Sequence, residues 1–256
     1  MVTDADRGQT LIAHLLELRS RLIRVVVVVL VLFAALAPFA GELFTAFAGP
    51  LMARLPEGST MIAVEVASPV VTPFTLALCV GVALAMPYIL YQAWAFVAPG
   101  LYHQEKRFAL PLTVASVFLF YAGIAFAFFF VFPMVFAFFA SSPPEGVTMM
   151  TDISHYLSFV LALFLAFGLA FQVPVVTILL VRTGFTTPSQ LAKHRPYVLV
   201  GAFVIGMFLT PPDVFSQTLL AIPMYLLYEA GIVLSKWLVP GWREVEAQRR
   251  GELPGD

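Results

Sequence analysis

Charged residues in this chain fence off long apolar runs. The first run follows Arg24 without a break, as Val25-Val-Val-Val-Val-Leu30, and predicts a membrane-spanning helix over about 22–40. Before it lies a short amphipathic helix, in which His14, Glu17, Arg21 and Arg24 recur at steps of three and four while Leu11, Leu15, Leu18 and Leu22 form a separate stripe. Four further runs follow the same grammar, over about 73–98, 108–140, 156–181 and 214–234, and a shorter one covers about 197–210. The third is longer than the ~20 residues a helix needs to cross hydrocarbon, so it must tilt, kink at Pro133 or project. The pattern therefore predicts an all-α, polytopic membrane protein. Residues 1–21 form a cytoplasmic amphipathic segment, 22–235 one six-helix membrane domain, and 236–256 a cytoplasmic tail.

The loops refine this picture. Between the first two runs, residues 41–71 hold Pro50, Pro56 and Pro69 and read as irregular, with room for a short interfacial helix near 43–55. The second run ends in an aromatic belt of Tyr88, Tyr91, Trp94 and Tyr102. The last two runs are short: Tyr197 to Leu209 gives roughly 20 Å of helix against ~30 Å of hydrocarbon. Asp213 to Glu229 brackets a second short stretch, broken by Pro223, although apolar character continues to Leu234. Either the bilayer thins around this pair or the pair is a re-entrant hairpin; six crossings is the favoured reading. Of the 14 Lys and Arg residues, Arg54 alone falls in a loop on the far side, which puts both termini in the cytoplasm.

Composition agrees with the pattern and narrows the chemistry. With 61% hydrophobic and 11% charged residues, the chain has too much apolar surface for a soluble core to hide. The single Cys79 excludes an internal disulfide, and no cleavage site follows the first run, so that span is expected to stay in the membrane. His14, His103, His155 and His194 are scattered and lack metal-site spacing. No nucleophile elbow, metalloprotease helix or phosphate-binding glycine loop occurs, so no catalytic residue, metal, cofactor or nucleic-acid partner is expected. A small-solute transporter is the alternative reading, but it needs several polar groups at mid-membrane depth, and Gln172 is a poor candidate by itself.

What remains is a handful of polar residues. Glu17 and Glu105 are carboxylates in cationic company on the predicted cytoplasmic face. Each can be a solvated local pair, Glu17 with Arg21 and Glu105 with Lys106 and Arg107. Alternatively, carboxylates at the edge of a low-dielectric phase bind guanidinium groups by forked, charge-assisted hydrogen bonds. Gln172 lies four residues from Gly168, and Ala162, Ala166 and Ala170 make a separate small-residue stripe, so one face suits close helix packing and the other carries an amide. Met207, Thr210 and Gln217 surround the far-side end of the last pair, where polar groups either cap helix ends or offer hydrogen bonds to a partner helix.

Four blocks carry a family resemblance: His14-Leu-Leu-Glu-Leu-Arg-Ser-Arg-Leu22; Ser68-Pro-Val-Val-Thr-Pro-Phe74; Tyr91-Gln-Ala-Trp-Ala-Phe-Val-Ala-Pro-Gly-Leu-Tyr102, with Glu105 following; and Arg195-Pro-Tyr-Val-Leu-Val-Gly-Ala-Phe203 through Leu209-Thr-Pro-Pro-Asp-Val-Phe-Ser-Gln217. From about Ile12 to Lys236 the chain resembles TatC, the large membrane subunit of the twin-arginine protein translocase. The resemblance implies a concave, cup-like bundle of six helices in the bacterial inner membrane, driven by the proton-motive force. It implies that Glu17 and Glu105 contact the paired arginines of signal peptides on folded precursors, with Arg19 and Phe96 lining the same patch. It places Pro50 in a functionally sensitive first far-side loop, and Met207, Thr210 and Gln217 where the single-span subunits TatA and TatB dock. It also implies a homo-oligomer within the receptor complex. Family members often carry Glu where this chain has Gln172, which leaves that position a hydrogen-bonding role rather than a charged one.

Overall fold

The computed structural model describes residues 4–52, 61–97, 109–141, 151–210, 213–239 and 241–249. Helix α1 spans Asp4–Leu36, so the amphipathic segment and the first apolar run are one continuous rod. A single tight turn over Ala37–Phe39, with Pro38 near its start, leads into α2, Ala40–Met52. The loop that the prolines suggest is thus helical in its first third. Helix α3, Ser68–Val97, carries Pro73 and Pro87 and still runs unbroken. Helix α4 covers Ala109–Phe126 and α5 Phe132–Ser141, joined by a π-helical turn over Ala127–Val131. Pro133 explains that turn: it has no N–H to give the helix ladder and its ring crowds the carbonyl four residues back, so the backbone widens just ahead of it.

The expected fourth span is two helices, α6 over Ile153–Ala170 and α7 over Val173–Arg182. Pro174 is the cause, because its ring would collide with the carbonyl of Ala170 in a continuous helix. The chain turns through Phe171 and Gln172 and restarts with the proline in the first turn, where no donor is needed. Short α8, Pro188–Lys193, precedes α9, Arg195–Leu209, and α10, Val214–Leu238; α11, Trp242–Arg249, closes the described chain. Of the pair expected to be short, only α9 is: its 15 residues make about 22 Å, whereas the 25 residues of α10 make about 37 Å. Pro223 does not break α10, and Glu229 does not end it, since that carboxylate is neutralised by a partner. Five described helical runs are long and apolar enough to cross a membrane, with α9 as a sixth, shorter apolar helix. Two-residue strands β1, Met61–Ile62, and β2, Thr151–Asp152, pair in parallel.

The chain forms two compact units. One comprises Met1–Ala53 and Ala63–Val117. Here α1 lies along α3, and Gly81 faces the backbone of Phe33; a methyl at Gly81 would sit 3.4 Å from the Phe33 nitrogen. Its buried residues include Leu76, Ala77, Ala85, Met86 and Trp94. Trp94 satisfies its indole by donating to the Ser116 hydroxyl at 2.9 Å.

The other unit comprises Arg54–Ile62 and Phe118–Asp256. Helices α4 and α6 meet through glycines: a Cβ on Gly123 would lie 2.5 Å from the Phe167 carbonyl, and one on Gly168 would press into the Phe120 ring. Gly231 brings α10 against Thr177 and Pro174 of α7, and Gly206 brings α9 within 3.6 Å of Gln217 Cα by the same measure. The small-residue stripe of α6 does something else. Ala162, Ala166 and Ala170 face Gly201 and Ala202 of α9 across an open apolar groove of about 630 Å³.

Candidate functional site

In the unit that contains α1 and α3, the charged end of α1 is knitted to the last turns of α3. Glu17 and Arg21 are one helical turn apart, so their side chains meet: Arg21 Nε and Nη2 donate to the same oxygen, Glu17 Oε1, at 2.9 and 2.6 Å. The third guanidinium nitrogen crosses to the other helix, Nη1 donating to Gln92 Oε1 at 2.8 Å. Gln92 in turn donates from Nε2 to the Tyr88 hydroxyl at 2.7 Å. Gln92 is buried, at 6% exposure, which fixes the amide and with it the pose of Arg21. One turn earlier on α1, the His14 ring stacks on Phe96 with centroids 4.2 Å apart and planes 16° off parallel.

This arrangement is a carboxylate presented at a helix surface and half-satisfied by an internal arginine. The Glu17 side chain is 37% exposed and that of Arg21 20% exposed. Among the described residues Glu17 Oε2 accepts no hydrogen bond. A second guanidinium therefore has an acceptor to approach, one turn along α1 from the His14 ring that stacks on Phe96. The local pair foreseen for Glu17 is present, and it is embedded in a network with Gln92 and Tyr88 that sequence reasoning missed. The available signal was Gln92 one turn beyond Tyr88 in a span otherwise almost free of polar groups. Arg19 is exposed on α1. Glu105, with Lys106 and Arg107, lies outside the described residues. Pro50 sits within α2, and its side chain lies outside those described.

The other predicted positions fall in the second unit. Thr210 is buried at the end of α9, its hydroxyl returning to the Gly206 carbonyl at 3.0 Å, and it lies with Gly206 and Gln217 at the tight approach of α9 to α10. Met207, one turn back, is 49% exposed. Asp213 caps α10 by accepting from the Ser216 amide at 2.7 Å. Gln172 is buried in the turn that separates α6 from α7. At the opposite end of α9 stands an ion pair that the sequence did not announce. Arg195 donates from Nε and Nη2 to Glu229 Oε1 and Oε2 at 2.6 and 2.8 Å, and Tyr225 adds a third donor to Oε1 at 2.9 Å. No signal at a spacing of 34 residues could have paired them.

Long apolar helices that expose leucine, valine and phenylalanine, cut by proline turns and charged at their ends, define a multi-pass helical membrane protein. The family model for Sec-independent protein translocase protein (TatC) matches residues 13–223, and the chain belongs to the TatC family. It is 60% identical over 229 residues to the Sec-independent protein translocase protein TatC of Azotobacter chroococcum mcd 1, covering 90% of each chain. It is 56% identical over 238 residues to the protein of that name from Escherichia coli strain K12, covering 93% of this chain and 92% of the relative. Among solved structures, the crystal structure of a twin arginine translocase receptor, TatC, superposes with a TM-score of 0.80 at 40% identity, covering 88% of this chain and 98% of that one.

Proposed function

We propose that this chain is the signal-peptide receptor of a twin-arginine export system. Glu17, with Glu105, binds the paired arginines of signal peptides on folded precursor proteins, while Arg19 and Phe96 line the same patch. The observation that carries this reading is the Glu17 carboxylate itself: it already receives a guanidinium through two donors on one oxygen and leaves the other oxygen open. Arginine is the side chain whose fork fits such a carboxylate, and lysine offers only a point charge.

Around that site the proposal places 22–235 as a membrane domain in the bacterial inner membrane, with 1–21 and 236–256 in the cytoplasm, following the one-sided distribution of Lys and Arg. TatA- and TatB-type single-span subunits dock near Met207, Thr210 and Gln217, where exposed Met207 and Phe208 adjoin the helix end capped by Thr210. The receptor works as a homo-oligomer with these subunits, and the proton-motive force drives transport. Helix α9, shorter than the ~30 Å hydrocarbon, favours local thinning of the bilayer where a folded cargo must pass. Pro50 belongs to the sensitive first far-side segment, and Gln172 hydrogen-bonds within the helix bundle.

The test is the affinity of the purified protein in lipid nanodiscs for a fluorescent twin-arginine signal peptide and its twin-lysine counterpart. The reading requires at least about a tenfold preference for the arginine pair, the worth of one or two charged hydrogen bonds. Equal affinity would contradict it.

A further inference from the structure

The arginine recognised by Glu17 in this structure is the chain's own. Arg21 presents the same chemical group as the ligand, with two nitrogens on Glu17 Oε1, and is anchored from behind by buried Gln92 through Nη1. Gln92 cannot swing freely, since Tyr88 accepts from its other end. An i,i+4 pair on a solvated helix contributes little and exchanges readily. The contact to Gln92, 71 residues away on another helix, turns that loose pair into a held one.

We propose that Arg21 is a built-in competitor: in the resting receptor it occupies Glu17 Oε1 and leaves only Oε2 for a first contact, Gln92 and Tyr88 lock it there, and an incoming arginine must displace it to engage both oxygens with its fork. The inference rests on the receptor reading of Glu17. Its consequence follows from linkage. A site that is open only a fraction of the time binds every ligand more weakly by that same fraction, whatever the ligand's own preference. The lock therefore leaves the ratio of arginine to lysine binding untouched and raises the threshold for both. Stray cationic segments, which offer one weak contact, stay unbound. A signal peptide, which adds a second arginine and an apolar segment, clears the threshold.

Two charge-preserving variants test this in the full chain in nanodiscs, with the twin-arginine and twin-lysine peptides as probes. Arg21→Lys keeps the charge but loses the fork and the reach to Gln92; Gln92→Leu removes the anchor and leaves Arg21 in place. Each should tighten binding about three- to tenfold, the worth of roughly one ordinary hydrogen bond, and by the same factor for both peptides. Unchanged or weaker binding in both variants, with Glu17→Ala still weakening it, overturns the lock and leaves the receptor reading intact. Unchanged binding in Glu17→Ala overturns both. Should either variant fold poorly, the Nε–H resonance of Arg21 in 15N-arginine-labelled wild-type protein decides. It shifts on adding the twin-arginine peptide if Arg21 is displaced; a resonance that stays in place contradicts the proposal.

Discussion

Two arginine–glutamate pairs in this molecule use the same groups to opposite ends. Arg195 and Glu229 join α9 to α10, pair two guanidinium nitrogens with both carboxylate oxygens, and receive a third hydrogen bond from Tyr225. Arg21 and Glu17 share one helix, crowd two donors onto one oxygen, and leave the second oxygen open at the surface. The first carboxylate is used up by its own fold, with its side chain 25% exposed; the second, at 37%, has capacity left over. The satisfied pair reads as a clasp between helices, and the half-satisfied one as a binding site. Saturation of the acceptor, rather than the presence of an ion pair, separates the two.

The comparison can be broken at either pair. Glu17→Ala should have the largest effect, lowering affinity for a twin-arginine peptide about thirtyfold or more by loss of the charged acceptor, while thermal unfolding in detergent stays close to wild type. Glu229→Ala should do the reverse: peptide affinity holds, and unfolding shifts down by several degrees because α9 loses its clasp to α10. If Glu229→Ala instead costs affinity and leaves stability alone, the assignment of roles is inverted. Arg195→Lys should lower the unfolding temperature less, since a single ammonium keeps the charge but gives up one arm of the fork. Tyr225→Phe should have the smallest effect, a shift of about a degree or less, because Glu229 retains both arginine contacts. Measured in one series of thermal melts, the three clasp variants should rank in that order.

Much of the architecture was legible because membrane helices announce themselves by long apolar runs between charges. The widened turn before Pro133 falls where a proline in an overlong span said a kink could lie. The break at Phe171 and Gln172 was equally present in Pro174, yet an apolar run of normal length gave no reason to look for it. Helix α10 outran its bracketing charges because Glu229, which looked like a terminus, is neutralised by Arg195. Pairing across 34 residues is a tertiary fact with no local periodicity. At the site, Glu17 and its local partner could be read from helical spacing, whereas Gln92, which gives the pair its pose, comes from a helix 71 residues away from Arg21. The alanine stripe on α6 shows the reverse error: small residues suited to close packing line an open groove, and Gly123 and Gly168 make the close approach.

The central claim is that Glu17 meets the ligand's arginines. A photoreactive amino acid placed at position 17, and another at 105, in membranes supplied with a radiolabelled twin-arginine precursor tests it most directly. The account predicts crosslinks to the precursor from both positions, lost when the precursor carries twin lysine and absent from a probe placed at position 229. Crosslinks of equal strength with the twin-lysine precursor, or none from position 17, would contradict it.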